Sequence, residues 1–251
     1  MRLTLSFIAA LAISPAALAA QSLAERVRTA GDGTIRISFA ARERVCGHAS
    51  GISIIDGDDT DDEWVSDCER GPVRVSMRMR AGRVTEADTR VAGRWRTGRP
   101  GVRDLGLVPA REAADLLLAL ARQAGEEAGD ELLTAATLAD SAVVWPELLR
   151  MAREDGLPLE TRRKAVFWLG QAAGEAATRG LDSIAVDDRG DLEVREHAVF
   201  ALSQRPADEG VPALIRIARS NPHPELRRKA LFWLGQSEDP RALTLFEEIL
   251  R

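Results

Sequence analysis

Cys46 and Cys68, with His48 two places after the first, are the residues of this 251-residue chain whose types and spacing could do chemistry together. A Cys-x-His triplet admits a metal site, a thiol activated by its neighbour, or one half of a disulfide. A zinc site needs four ligands, or three and a water, at defined spacing, and no other histidine or cysteine lies near this pair in sequence. The disulfide is the favoured reading, because an exported chain keeps its cystines and a bridge closing a loop of some 20 residues contributes about 3 kcal/mol in the chain-entropy model. The acidic run DGDDTDDE at 56–63 offers oxygens to calcium, yet it lacks the glycine at the sixth place and the glutamate at the twelfth that an EF-hand loop uses. It reads as a solvated loop that screens the arginine-rich strand face. No G-x-S-x-G elbow, phosphate loop or H-E-x-x-H occurs, and the other histidines, His197 and His223, lie in segments of different character. With no carboxylate pair in an apolar setting either, the chain reads as a non-enzyme with no cofactor and no metal.

A second set of residues suits binding rather than catalysis. The segment RRKAVFWLGQ at 162–171 returns as RRKALFWLGQ at 227–236, and a weaker copy, REHAVFALSQ, stands between them at 195–204. The opening arginines Arg162, Arg195 and Arg227 are thus 33 and 32 residues apart, a period that marks a repeat architecture. At about 100° per residue, Ala165, Val166, Trp168 and Leu169 share one arc of a helix, the face that packs. The opposite arc carries Phe167, Phe200 and Phe232 beside Gln171, Gln204 and Gln236, with Lys164, His197 and Lys229 adjacent. Stacking turns each set into a ladder, and stacked repeats bind partners along such surfaces. Aromatic rings flanked by long cations suit a protein or an acidic peptide. The competing reading wedges each phenylalanine against the next repeat and leaves the glutamines and lysines as a solvated edge. Trp168 and Trp233 read as core, since the middle copy has Ala201 at that place. Arg162, Arg195 and Arg227, close to Glu160, Glu193 and Glu225, read as partners in ion pairs between repeats.

Two kinds of element must position these residues. The opening MRLTLSFIAALAISPAALAA reads as a signal peptide over 1–20, with Ala17 and Ala19 at the cleavage region, no cysteine for a lipid anchor, and no later run of the roughly 18 apolar residues a spanning helix needs. A periplasmic or secreted chain without a membrane span follows from it. From 21 to 104 a small β-rich domain with one disulfide is expected: SLAERVRTA as a short helix capped by Ser22, then alternation in TIRISF and VRVSMRMR, with a hairpin over 73–91 turning at AGR. From 105 to 251 helical spacing takes over, with helices over 110–125, 130–140 and 145–155, a helix-turn-helix unit repeated around the three copies, and PRALTLFEEILR as a terminal helix. The formal net charge of −5 argues against nucleic acid as partner. Glu247, Glu248 and Arg251 give the last helix a polar end, as a capped monomer would have.

Ankyrin and tetratricopeptide arrays have a similar period, but the T-P-L-H element is absent, tryptophan stands directly against Leu-Gly in WLGQ, and the chain has no tyrosine. Arginine followed by alanine and Leu-Gly on a second helix, with VPALI opening the next unit, resembles HEAT-like repeats of the short variety also found in bilin-lyase relatives. The resemblance covers about 110–251 and implies a mainly α fold, a right-handed α-solenoid of about four helix pairs behind the small β-rich domain. The wording AVFWLGQ with an exported β region and paired cysteines is also similar to a group of secreted bacterial HEAT-repeat proteins, a likeness that supplies architecture and no activity. The function this implies is a non-catalytic protein-interaction scaffold of the envelope or the extracellular space. The alternatives are a lyase-like protein that holds or modifies a chromophore, and a structural component of envelope assembly.

Overall fold

A computed structural model describes residues 21–48, 51–54, 68–96, 98–172 and 174–251. The expected signal peptide and the acidic run at 56–63 lie outside the described residues.

The alternation of apolar and polar residues becomes a sheet whose two faces differ. Strand β1 (Gly33–Phe39) is followed by the short β2 (Val45–His48) and β3 (Gly51–Ile54), then by β4 (Val73–Arg80), β5 (Arg83–Val91) and β6 (Val102–Leu107). Four of them form a sheet in the order β5-β4-β1-β6, antiparallel except for β1 against β6, while β2 and β3 make a separate ribbon. Ile35, Ile37 and Phe39 of β1 and Val73, Val75, Met77 and Met79 of β4 are buried together, as a period of two requires. The hairpin turns at Ala81 and Gly82, both at positive φ, which is the two-residue geometry that matches strand twist. Helix α1 (Leu23–Ala30) begins at Ser22, whose Oγ accepts from the Glu25 amide at 3.2 Å as the sequence predicts, and buries Leu23 and Val27 in the same core.

Nine further helices follow among the described residues: α2 (Ala110–Ala121), α3 (Glu126–Thr137), α4 (Trp145–Ala152), α5 (Leu159–Gly170), α6 (Glu175–Val186), α7 (Leu192–Ser203), α8 (Ala207–Ser220), α9 (Pro224–Gly235) and α10 (Pro240–Ile249). They pack as the antiparallel pairs α2/α3, α4/α5, α6/α7 and α8/α9, with α10 laid over the last pair. This is the α-solenoid behind a small β-sheet domain that the repeat wording predicts. The expected boundary at 104/105 falls inside β6, and the helical array begins at Ala110. VRDLGL lacks a clean alternation and pairs in parallel with a distant strand, so its local pattern gives no sign of being an edge strand.

Sheet and helices share one hydrophobic core. Helix α3 lies against β5, where Glu131 accepts from the Thr89 amide at 2.8 Å, and the segment after β1 bonds to the end of α3 through Arg42 N–H to Leu138 O at 2.8 Å and Asp140 N–H to Ala40 O at 2.9 Å. The sheet therefore covers the first helix pair, which would otherwise present its apolar face to water.

Within the repeats, the small and aliphatic residues of the motif do what their arc requires. Ala165, Val166 and Leu169, Ala198, Val199 and Leu202, and Ala230 and Leu234 are completely buried. Gly170 is needed for the approach of the next second helix, since a Cβ there would stand 3.0 Å from the Ala201 methyl. Gly235 has no such role and is exposed, its nearest neighbour being Phe246 Cζ at 3.8 Å from an added Cβ.

Candidate functional site

Cys46 and Cys68 are joined, with Cα atoms 5.4 Å apart. The thiol that a Cys/His nucleophile or a metal site would use is thereby consumed, and His48 Nε2 instead lies 3.0 Å from Ser53 Oγ on the neighbouring strand.

The recurring polar residues of the motif divide into two roles. Arg162 and Arg195 are buried, and their Nε groups donate to Ala152 O and Ala185 O at 3.3 Å, carbonyls at the ends of α4 and α6. Arg227 donates to Asn221 O at 2.7 Å and to Pro222 O just past α8. Each arginine thus caps the first helix of its own pair, where four carbonyls lack intrahelical partners and the helix dipole favours a cation. The expected ion pairs between repeats are corrected in this sense: among the described residues only Arg162 of the three reaches a carboxylate, Asp155 at 3.1 Å, and that group is in the same pair.

The links between repeats lie at the other three positions. Lys229 Nζ meets Glu196 of α7 at 2.7 Å. His197 Nδ1 accepts from Arg163 Nε of α5 at 3.3 Å. Lys164 faces Asp130 of α3, whose carboxyl is pushed up by burial while the Lys164 charge pulls it down. His197 and Lys229 therefore tie their second helices to the one before, and the Lys164 charge acts on Asp130 of the preceding second helix.

Burial holds the His197 imidazole below its ordinary range, with Arg163 and Lys229 adding to the effect and Glu160 and Glu193 opposing it. Its neutral form is the one that accepts from Arg163. Because the unfolded chain takes up this proton first, the stability tied to His197 is complete above about pH 6.5 and is lost as pH falls toward the depressed folded value. A His197→Gln variant is expected to lose that part of the pH dependence, read as urea midpoints compared at about pH 7.5 and about pH 5.5.

The aromatic rings of the motif stand beside these residues. Phe167 is 39% exposed and Phe232 57%, so neither is wedged into the core, whereas Phe200 is half-buried. Phe200 packs on Trp233 with centroids 5.1 Å apart, and Trp233 in turn meets Phe232 edge-on at 5.0 Å. Phe167 stands edge-on to Trp168 at 5.3 Å. Trp168 is core, as expected, but Trp233 is only partly buried and belongs to the surface cluster. Gln171, Gln204 and Gln236 are exposed at the helix ends beside these rings. The second helices α3, α5, α7 and α9 pack more closely on one another than the first helices do, which makes theirs the inner side of the stack.

The pair geometry, the arginine caps and the stacked second helices are now joined by a direct comparison: the family model for HEAT repeats matches residues 184–251. That stretch is a HEAT-repeat region. It holds the end of α6, all of α7 to α10, and therefore the Phe200, Trp233 and Phe232 cluster. The two helix pairs upstream of it show the same packing, consistent with one HEAT α-solenoid. Comparison with curated proteins finds no significantly similar sequence. HEAT repeats generally mediate protein interactions, and among the described residues no helix is long and apolar enough to cross a membrane.

The signal for Trp233 was present in the sequence: its neighbours in the array are Ala201 below and a terminal helix above, so it has less cover than Trp168. Helix α10 supplies little of that cover. Its polar residues Glu247 and Glu248 do occupy one side, but Leu243 and Ile249 on the rest of its surface are 61% and 56% exposed, so the polar cap that the capped-monomer expectation rested on is one-sided.

Proposed function

We propose that this chain is a non-catalytic protein-binding scaffold of the cell envelope or extracellular space, and that its partner docks on the inner side of the second helices. The observation that carries this reading is the exposure of Phe167 and Phe232 at repeat-equivalent positions, while the seam residues Ala165, Leu169, Ala230 and Leu234 of the same helices are fully buried. Stability alone gives no reason to leave two large rings in water, and exposed aromatics at the centre of an interface are the residues that contribute most to binding. Export is supported by the leader-like start of the sequence and by the Cys46–Cys68 bridge, which persists in oxidising compartments.

The partner segment is expected to present apolar or amide-bearing side chains. The preference for an acidic peptide that Lys164 and Lys229 suggested loses its basis, because Glu196 neutralises one and Asp130 faces the other. Gln171, Gln204 and Gln236 remain as donors and acceptors along the rim.

Phe167→Ala and Phe232→Ala test the reading because they separate binding from folding. Each is expected to shift stability by less than about 1 kcal/mol, as exposed substitutions do, while the double variant weakens partner retention from envelope extract by about tenfold or more. Phe200→Ala mixes the two effects through its contact with Trp233 and serves as a comparison only. A double variant that stays folded and retains the same partner as strongly as wild type contradicts the proposal.

A further inference from the structure

The polar face of the sheet carries a feature independent of the helices. Register sets Ser38, Arg74 and Arg90 in one row across β1, β4 and β5, and Arg36, Ser76 and Asp88 in the next. Like charges directly opposite each other, as at Arg74 and Arg90, are unfavourable in a strand pair. The segment after β5 then adds Arg94, Trp95, Arg96 and Arg99 over this face, enclosing a cleft of about 610 Å³. Six arginines line it against two carboxylates, Glu69 and Asp88, on a chain whose net charge is −5. Asp88 is committed to Arg90 through two bonds of 3.1 Å. Arg94, Arg96 and Arg99 make no ion pair among the described residues.

The floor of the cleft is built, not merely decorated. Arg36 is only 7% exposed and stacks on the Trp95 ring at 4.4 Å, a geometry that orients both groups. Arg74 is fixed by Ser38 Oγ at 3.1 Å and by Ala92 O and Gly93 O. Two buried donors in this wall, Arg36 Nε and Trp95 Nε1, have no acceptor among the described residues. Unpaired buried donors are costly, and here they occur where, among the described residues, six arginines face two carboxylates.

We propose that this cleft binds a ligand bearing two or more closely spaced oxyanions, of the phosphate class. Its volume suits a small molecule, and planar guanidinium forks match phosphoryl oxygens. Arg36 and Arg74 form the fixed base, and Arg94, Arg96 and Arg99 close on the ligand from the rim. A soluble polyanion and a phospholipid headgroup share this chemistry.

The test is titration calorimetry of the full chain with inorganic tripolyphosphate at low salt. Binding is expected to be saturable and to weaken as salt is raised. The Arg94→Ala/Arg96→Ala/Arg99→Ala variant, which removes exposed side chains without ion-pair partners, is expected to bind about tenfold or more weakly. A control with the same charge change elsewhere, Arg83→Ala/Arg111→Ala/Arg189→Ala, is expected to bind as wild type does. No saturable binding by wild type, or equal losses in the two variants, overturns the proposal. Flotation with vesicles containing phosphatidylglycerol distinguishes the sources: comigration that the cleft variant loses assigns a headgroup, and calorimetric binding without comigration assigns a soluble anion.

Discussion

Arg205→Ala is expected to cost about 3–5 kcal/mol of unfolding free energy, read from urea midpoints, although Arg205 lies outside every copy of the repeated motif. Its side chain, 6% exposed, joins three helix pairs, reaching the end of α5, the start of α6 and the first turn of α8. It donates to Gly170 O at 3.0 Å and to Ala172 O at the end of α5, to Gly174 O at 3.2 Å, to Thr178 Oγ1 at 2.8 Å, and to Glu209 Oε2 at 2.9 Å. Glu209 also accepts from Thr178, and these two hydrogen bonds hold its carboxyl below the usual range, the one from Thr178 first. Truncation leaves three carbonyls and a carboxylate without their shared donor, and the penalty for such orphaned groups exceeds the net worth of each bond. Arg205→Lys keeps the charge but loses the fork, and only part of the stability is expected to return. Because each repeat contacts only its neighbours, the loss should also decouple the pairs on either side of the 170–175 turn, seen as a broadened transition.

Gly210→Ala is the second large effect, at about 3 kcal/mol. An added Cβ would stand 2.3 Å from Leu202 O, a backbone atom that cannot move without disturbing the end of α7, and 3.3 Å from Arg205 Cβ. Overpacking against backbone is relieved only by shifting α8 away from α7, and the apolar seam of Leu202, Val211 and Leu214 shifts with it. Gly235→Ala is the matched control: the site is open, the residue ends a helix, and the change is expected to be neutral or slightly stabilising. Comparable losses at Gly210 and Gly235 would show that the close approach to Leu202 O is not what governs the loss at Gly210.

What the sequence disclosed depended on whether the signal was local. The alternation in TIRISF and VRVSMRMR marked the apolar face that meets the core, but not that Arg36 and Ser38 on the other face of β1 are covered too. The triple copy of the motif gave the second helices, their small-residue seam and the count of helix pairs. β6 stayed hidden because its partner β1 is distant in sequence and its own pattern is mixed. The binding ladder was half legible. Period alone places Phe167, Phe200 and Phe232 alike, but exposure depends on what the next repeat supplies, and Trp233 covers Phe200 while leaving Phe232 open. The lysines could not be separated from ligand contacts without the acids facing them, Asp130 and Glu196, which belong to other helices. The arginine cleft was visible as GRWRTGRPG, yet Arg36, Arg74 and Arg90 join it only through strand register. Arg205 had no periodic signature at all.

The most direct test of the docking face is site-specific photocrosslinking in envelope extract, with benzoylphenylalanine placed at 232 on α9, at 167 on α5, and at 186 on α6. Position 186 is exposed to a similar degree, 48% at Val186, but lies on a first helix. The account predicts one crosslinked partner shared by positions 232 and 167 and missing from 186. Equal crosslinking at all three positions, or a partner captured at 186 alone, would contradict it.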